Sequence, residues 1–179
     1  MLTSLTIAAM SGMIAGRTAS DMPGLDIAEE RSWQNYLDSA LRLYATLNRS
    51  LVDAHHLTLN DVRLLDMLEK SPTGSARMGD LAERLMSLPS RVTRQIRRLE
   101  VQNLVTRCAS PDDGRGVIAT ITDEGREAAR DAMVTYGHDV RAHFLGRLSR
   151  PQIAAMGENC RRISAGLQTG SAPAKIGRV

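Results

Sequence analysis

Four arginines, Arg91, Arg94, Arg97 and Arg98, fall close together in the stretch SRVTRQIRRLE, with Val92, Ile96 and Leu99 between them. A guanidinium offers a planar fork of N–H donors and no acceptor, so a cluster of them suits oxygen-rich anions such as phosphates and paired acceptor edges. On a helical wheel of about 100° per residue with Val92 at zero, Ile96 falls at about 40° and Leu99 at about 340°, while the four arginines lie between roughly 140° and 260°. The cations thus share the face opposite an apolar stripe. From Arg77 to Arg115 eight arginines stand against five acids, so this stretch carries the whole formal net charge of +3. A locally basic module on a neutral body fits a polyanionic partner met at one place.

Other residue types support less chemistry. His55 and His56 are adjacent, and His138 and His143 are five apart, about 140° on the wheel, so neither pair shares a helical face; no metal site and no cofactor is expected. No Gly-rich phosphate loop, nucleophile elbow or recognisable carboxylate pair is present, and the chain is not expected to be an enzyme. Cys108 and Cys160 have no metal or redox spacing, which points to a reducing compartment. Cys108 stands beside Arg107, and a neighbouring cation that favours the thiolate would make it an oxidant sensor; the bland alternative is a small buried hydrophobe. The N-terminal LTIAAMSGMIAG lacks a basic leader and is far shorter than the roughly 20 apolar residues of a membrane span, so a cytoplasmic protein without membrane contact is expected.

The elements that must position the arginines can be read from periodicity. The 179-residue chain, 42% hydrophobic and poor in aromatics, suits one mainly helical domain with long helical arms. Residues 1–26, rich in Ser, Gly, Ala and Met, are expected to be a variable or flexible N-terminal extension, a tail or an extra helix packed on the body. Trp33, Tyr36, Leu37, Ala40, Leu41, Tyr44, Leu47 and Leu51 recur at helical spacing up to His55. That helix is about 40 Å long, more than one small domain uses internally, so part of it is expected against a second chain. Thr58 caps a helix burying Val62, Leu65, Met67 and Leu68, and a short helix, MGDLAERL, follows. Pro89 fits the first turn of the basic helix, and Asn103 can take the left-handed conformation at its end. The period then falls to two: LVTRCA and GVIATIT read as strands joined by SPDDGRG, with Pro111 and Gly114 turning the chain. Thr122 caps a long helix carrying Ala129, Met133, Tyr136, Val140 and Phe144. A final helix, about Pro151 to Leu167, precedes a flexible tail over 169–179.

Helix, turn, short helix, turn, basic helix and hairpin with an arginine at its tip is the order of a winged helix-turn-helix. A major groove about 12 Å wide accepts one helix, and arginine is shaped for two parallel bonds to guanine. Arg115 at the hairpin tip would reach the adjacent minor groove. The expected partner is double-stranded DNA.

At these residues the sequence resembles the MarR family of bacterial transcriptional regulators, over roughly residues 28–168. The matching pieces are RMGDLAERL, SRVTRQIRRLE, LVTR and PDDGRGVIATITDEG, with Trp33 and LTLNDVRLL also similar. The resemblance implies a DNA-binding lobe at 57–122 and dimerisation helices at 27–56 and 123–168 that build a homodimer. It places Ser90, Arg91, Thr93, Arg94 and Arg98 where the recognition helix meets DNA, with Arg97 on the same face from the wheel. Asp113 and Arg115 match a wing pair in which the acid orients the arginine. Two positions depart from the pattern: Asn103 stands in place of Gly, and Leu88 in place of a capping Ser, so Ser87 is expected to cap from one residue earlier. The resemblance also implies a small aromatic or phenolic effector. The resulting expectation is a homodimeric, sequence-specific repressor of a pseudo-palindromic operator, released by a small molecule. The alternative is a thiol-based oxidant-sensing regulator using Cys108.

Overall fold

The computed structural model describes residues 21–110 and 116–169. The chain divides into two compact units, residues 1–43 and 44–179. Helix α1 (Ile27–His55) contributes to both.

In the first unit α1 opens with a reciprocal cap. Asp26 Oδ1 accepts from the backbone N–H groups of Ala28 (2.7 Å) and Glu29 (2.9 Å), and Glu29 Oε2 accepts from the Asp26 N–H at 2.8 Å. These bonds satisfy N–H groups that have no partner inside a helix. Glu30 is buried, taking the Asp21 N–H at 2.9 Å and the Gln34 amide at 2.8 Å. Trp33, Tyr36, Leu37 and Leu41, expected as an apolar face, are exposed in the single chain.

The second unit holds the core. After α1 come α2 (Leu59–Glu69), β1 (Ser75–Arg77), α3 (Met78–Arg84), α4 (Pro89–Val101), β2 (Val105–Ala109), β3 (Val117–Ile121), α5 (Asp123–His143), a 3-10 turn (Leu145–Arg147) and α6 (Arg150–Thr169). Leu51, Leu57, Val62, Leu64, Leu65, Leu68, Leu81, Val92, Ile96, Leu99 and Val105 are fully buried and form one apolar centre. Burying each such side chain stabilises the fold by about 1.5–3 kcal/mol before conformational entropy is charged against it. In α2 it is Leu64, not Met67, that joins Val62, Leu65 and Leu68 in the core; Met67 is only half-buried. The single stripe expected for α2 is widened because the helix packs against both α5 and the sheet.

The sheet has a third strand that the two-strand expectation lacked. Its order is β1-β3-β2, all antiparallel, with Ser75 opposite Thr120 and Arg77 opposite Ile118, and on the other side Val105 opposite Ile121 and Ala109 opposite Val117. Ser110 N–H donates to the Gly116 carbonyl at 2.8 Å and closes the base of the β2–β3 hairpin. Pro111, Asp113, Gly114 and Arg115 lie outside the described residues. Helix α5 also differs from its expected face. Its buried positions are Gly125, Ala129, Ala132 and Asp139, while Met133 and Val134 are exposed. Phe144 falls just past its end, where the chain tightens into the 3-10 turn.

Candidate nucleic-acid interface

The basic helix is positioned at both ends by backbone geometry. At the end of α3, Met86 takes a left-handed conformation (φ 50°), its N–H bonds the Glu83 carbonyl at 2.9 Å and the Ser87 N–H bonds the Ala82 carbonyl at 2.9 Å. This paired closure of the last carbonyls turns the chain sharply into α4. The expectation that Ser87 caps α4 is corrected: the N-cap is Leu88, no side chain caps the helix, and the Ser87 N–H is spent on closing α3. Pro89 at the first position lessens the cost, since it has no N–H to satisfy. At the other end Asn103 is left-handed as expected (φ 59°), with Asn103 N–H to Glu100 O at 3.0 Å and Leu104 N–H to Leu99 O at 2.9 Å.

The end of α4 is bound directly to the start of α5. Thr122 Oγ1 donates to Asn103 O at 2.7 Å, Thr122 N–H donates to Leu104 O at 3.1 Å, and Thr122 Oγ1 accepts from Gly125 N–H at 2.9 Å. A Cβ on Gly125 would stand 2.0 Å from the Leu104 carbonyl oxygen, so only glycine permits this approach.

Between these ends α4 presents the two faces the wheel predicts. Val92, Ile96 and Leu99 are fully buried, and Ser90, Arg91, Arg94, Arg97 and Arg98 are exposed. Among the described residues no carboxylate lies within ion-pair reach of Arg91, Arg94 or Arg97. Arg98 is different: its Nη2 bonds Asp61, a carboxylate with no exposure, while the arginine side chain stays 46% exposed. Thr93 is half-buried, and its hydroxyl donates back to Pro89 O at 2.9 Å, so its donor is already committed. Asp113 and Arg115 fall outside the described residues.

Arg91, Arg94 and Arg98 come together on one cleft of about 300 Å³, which Thr58, Asn60, Asp61, Ser87 and Gln95 also line. Thr93 instead lines a second cleft of about 350 Å³ with Arg77, Met78, Gly79, Asp80, Arg107, Gly116 and Val117. Sequence reasoning missed Asp61 and Gln95. The signal for Asp61 was present: TLND carries an acid at the third helical position after a Thr N-cap, and the structure shows that capping box. Nothing local marks Gln95, which meets Asp61 across 34 residues of chain.

Arg107 is also committed, its Nε bonding Glu100 Oε2 at 2.8 Å and fastening β2 to the end of α4. The cation beside Cys108 is therefore engaged by a carboxylate, and adjacent strand residues project to opposite faces. Cys108 itself is exposed, not buried. Arg98 and Arg107 of the basic stretch thus help hold the fold, and among the described residues the positive charge of α4 without a carboxylate partner is on Arg91, Arg94 and Arg97.

A helix-turn-helix whose third helix carries an exposed basic face, followed by a β-hairpin and long flanking helices, defines a winged helix-turn-helix protein. The comparisons with known proteins narrow this. The MarR family profile matches residues 57–117. The repressor Rv2887 of Mycobacterium tuberculosis is 37% identical over 97 residues, covering 54% of this chain and 67% of that protein. Among solved structures, the MarR-family regulator Sco3205 of Streptomyces coelicolor, determined in complex with DNA, matches with a TM-score of 0.80 and 32% identity over 86% of this chain and 97% of its own. AbsC from the same organism matches with a TM-score of 0.76 and 30% identity, over 83% and 99%. The chain belongs to the MarR family of transcriptional regulators. Among the described residues no helix is long and apolar enough to cross a membrane.

Proposed function

We propose that this protein is a homodimeric, sequence-specific DNA-binding repressor that acts in the cytoplasm. The observation that carries the reading is the two-faced α4, with Val92, Ile96 and Leu99 sealed in the core and Arg91, Arg94 and Arg97 exposed without carboxylate partners among the described residues. Unpaired guanidiniums on a helix with one solvent face supply phosphate contacts, and two parallel bonds from such a group to guanine supply sequence preference. The naming of Rv2887 as a transcriptional repressor and the DNA complex of Sco3205 support the reading. On this reading Ser90, Arg91, Thr93, Arg94, Arg97 and Arg98 face the major groove, and Asp113 and Arg115 serve the wing.

The dimer is supported by apolar side chains left exposed in the single chain. In the first unit these are Trp33, Tyr36, Leu37 and Leu41; in the second, Tyr44, Met133, Val134, Met156, Ile163 and Leu167. A second copy covering them would present two recognition helices to half-sites about 34 Å apart. A small aromatic or phenolic effector would release the DNA by preferring a dimer with the helices wrongly spaced, because a ligand with equal affinity for both forms shifts nothing.

The test is a titration of the purified protein against the DNA upstream of its own gene and against random DNA at one salt concentration. A preference of about a thousandfold or more is expected. A ratio near one refutes the regulator and leaves a nonspecific DNA-coating protein.

A further inference from the structure

We propose that Asp61 is the positioning residue of the DNA-facing surface: it fixes Arg98 as a preset donor fork and so sharpens discrimination between DNA sequences without touching DNA. The inference rests on the DNA-binding reading given above. Asp61 has no exposed surface, and both of its oxygens are in use. Its Oδ2 accepts from the Thr58 N–H at 2.7 Å, the Thr58 hydroxyl at 2.6 Å and Arg98 Nη2; its Oδ1 accepts from Gln95 Nε2 at 3.0 Å. A capping box requires only the Thr58 pair. The two donors from α4 do something the cap does not need: three residues apart on one helix, they clamp α4 to the start of α2 along the border between its buried stripe and its arginines.

The consequence for Arg98 follows from its half-exposed state. One N–H group is held by Asp61, and the remainder of the fork opens on the cleft it shares with Arg91 and Arg94. Arg97, its neighbour in the chain, is exposed with no carboxylate partner among the described residues and must be ordered when it binds. For Arg98 that ordering is already complete in the fold, so less entropy is lost when it meets an acceptor pair in the correct place, and a misplaced acceptor gains less from it. The Asp61 charge also offsets Arg98 toward phosphates in general, which lowers attraction to DNA of any sequence.

Asp61→Asn keeps the shape of the side chain and removes the charge and one acceptor oxygen. Its expected effect is a fall of about tenfold in affinity for the upstream DNA, with affinity for random DNA at the same salt unchanged or higher. Arg98→Lys keeps the charge and discards the fork, and the same drop in the specific-to-random ratio is expected from it. Melting temperature and helical circular dichroism are recorded alongside. Equal losses on both DNAs in step with lowered melting make Asp61 a stability residue only and overturn the proposal, as does an unchanged ratio in a folded variant. Should Asp61→Asn fail to fold, Arg98→Lys, altered at a half-exposed head, decides: a wild-type ratio there overturns it. Wild-type protein with no preference between the two DNAs overturns the regulator reading itself, an outcome distinct from a discriminating wild type with indifferent variants.

Discussion

Replacing Gly125 by alanine sets two effects of opposite sign against each other. Gly125 lies in the first turn of α5, and in an isolated helix the change to alanine is favourable by about 1 kcal/mol. Here the new Cβ would stand 2.0 Å from the Leu104 carbonyl oxygen, 3.0 Å from its carbon and 2.9 Å from Ile121 Cγ1. The obstacle is backbone, and it cannot retreat freely, because that carbonyl also accepts the Thr122 N–H at 3.1 Å. Separating the two segments by about 1 Å breaks this bond and loosens buried Ile121, and overpacking of this kind costs about 1–3 kcal/mol or somewhat more. A backbone oxygen at 2.0 Å puts the cost in the upper half of that range, so net destabilisation of about 1–2 kcal/mol is expected, lowering the melting temperature by about 2–8 °C. The same substitution at Gly137, on the same helix with nothing within 4 Å of its Cβ, is the control and should hold or raise the melting temperature. Thermal and urea melts of the two variants decide the matter. Gly125→Ala as stable as the wild type would refute the close approach of α5 to the end of α4.

Arg94→Ala should weaken binding to the upstream DNA by about 1–3 kcal/mol, roughly 5- to 150-fold, with melting within about 1 °C of wild type, because the side chain is exposed and without an ion-pair partner among the described residues; fluorescence anisotropy and a melt check both halves. Arg98→Ala should instead lower both, since it strips a donor from buried Asp61; unaltered melting would show that the ion pair is not part of the fold. Met86→Gly should raise the melting temperature by about 2–4 °C, because the left-handed turn costs a side chain about 1 kcal/mol that glycine does not incur; a drop on calorimetry counts against the turn geometry. Asp139 is a pH-dependent case: the Ser50 side chain, opposed by burial and aided by His138 and His143, holds its carboxyl below the usual range. A folded pKa below the unfolded one gives stability that is present above about pH 4 and lost as pH falls through the folded value. The melting difference between wild type and Asp139→Asn should therefore be full near pH 6 and shrink on acidification, and a difference constant down to pH 3 would contradict it.

Helix α4 was legible because one local pattern served two purposes. The spacing that sends Val92, Ile96 and Leu99 inward is the spacing that sends the arginines outward, so a wheel sufficed. Thr58, Thr122 and Asn103 were legible for a related reason: caps satisfy nearby backbone groups, and their chemistry lies within four residues of their place in the chain. What escaped depends on distant partners. Strand β1 is three residues, Ser-Ala-Arg, without a β-branched side chain, and exists because β3 offers it an edge. The capping-box spacing marks Asp61 only as a cap, because its other partners, Gln95 and Arg98, come from α4. On α5 the apolar period placed Met133 inward, whereas the close packing next to α2 admits only small Ala129 and Ala132 and leaves the larger side chain outside. Gly125 gave a faint sign, a helix-weakening residue inside a helix, but its neighbour Leu104 is twenty-one positions earlier.

The short bridge at Thr122 has a mechanical meaning. Helix α5 spans about 31 Å, and its N-cap Thr122 is held to Asn103 and Leu104, just past α4, by one main-chain bond and one from its hydroxyl. Held in this way the two helices would turn as one bent lever, and a tilt of about 5° at the joint would sweep the far end of α5 through about 3 Å. A displacement imposed near His143 would reach Arg94 as a change of heading, which would make the remote end of α5 a handle on where the arginines point.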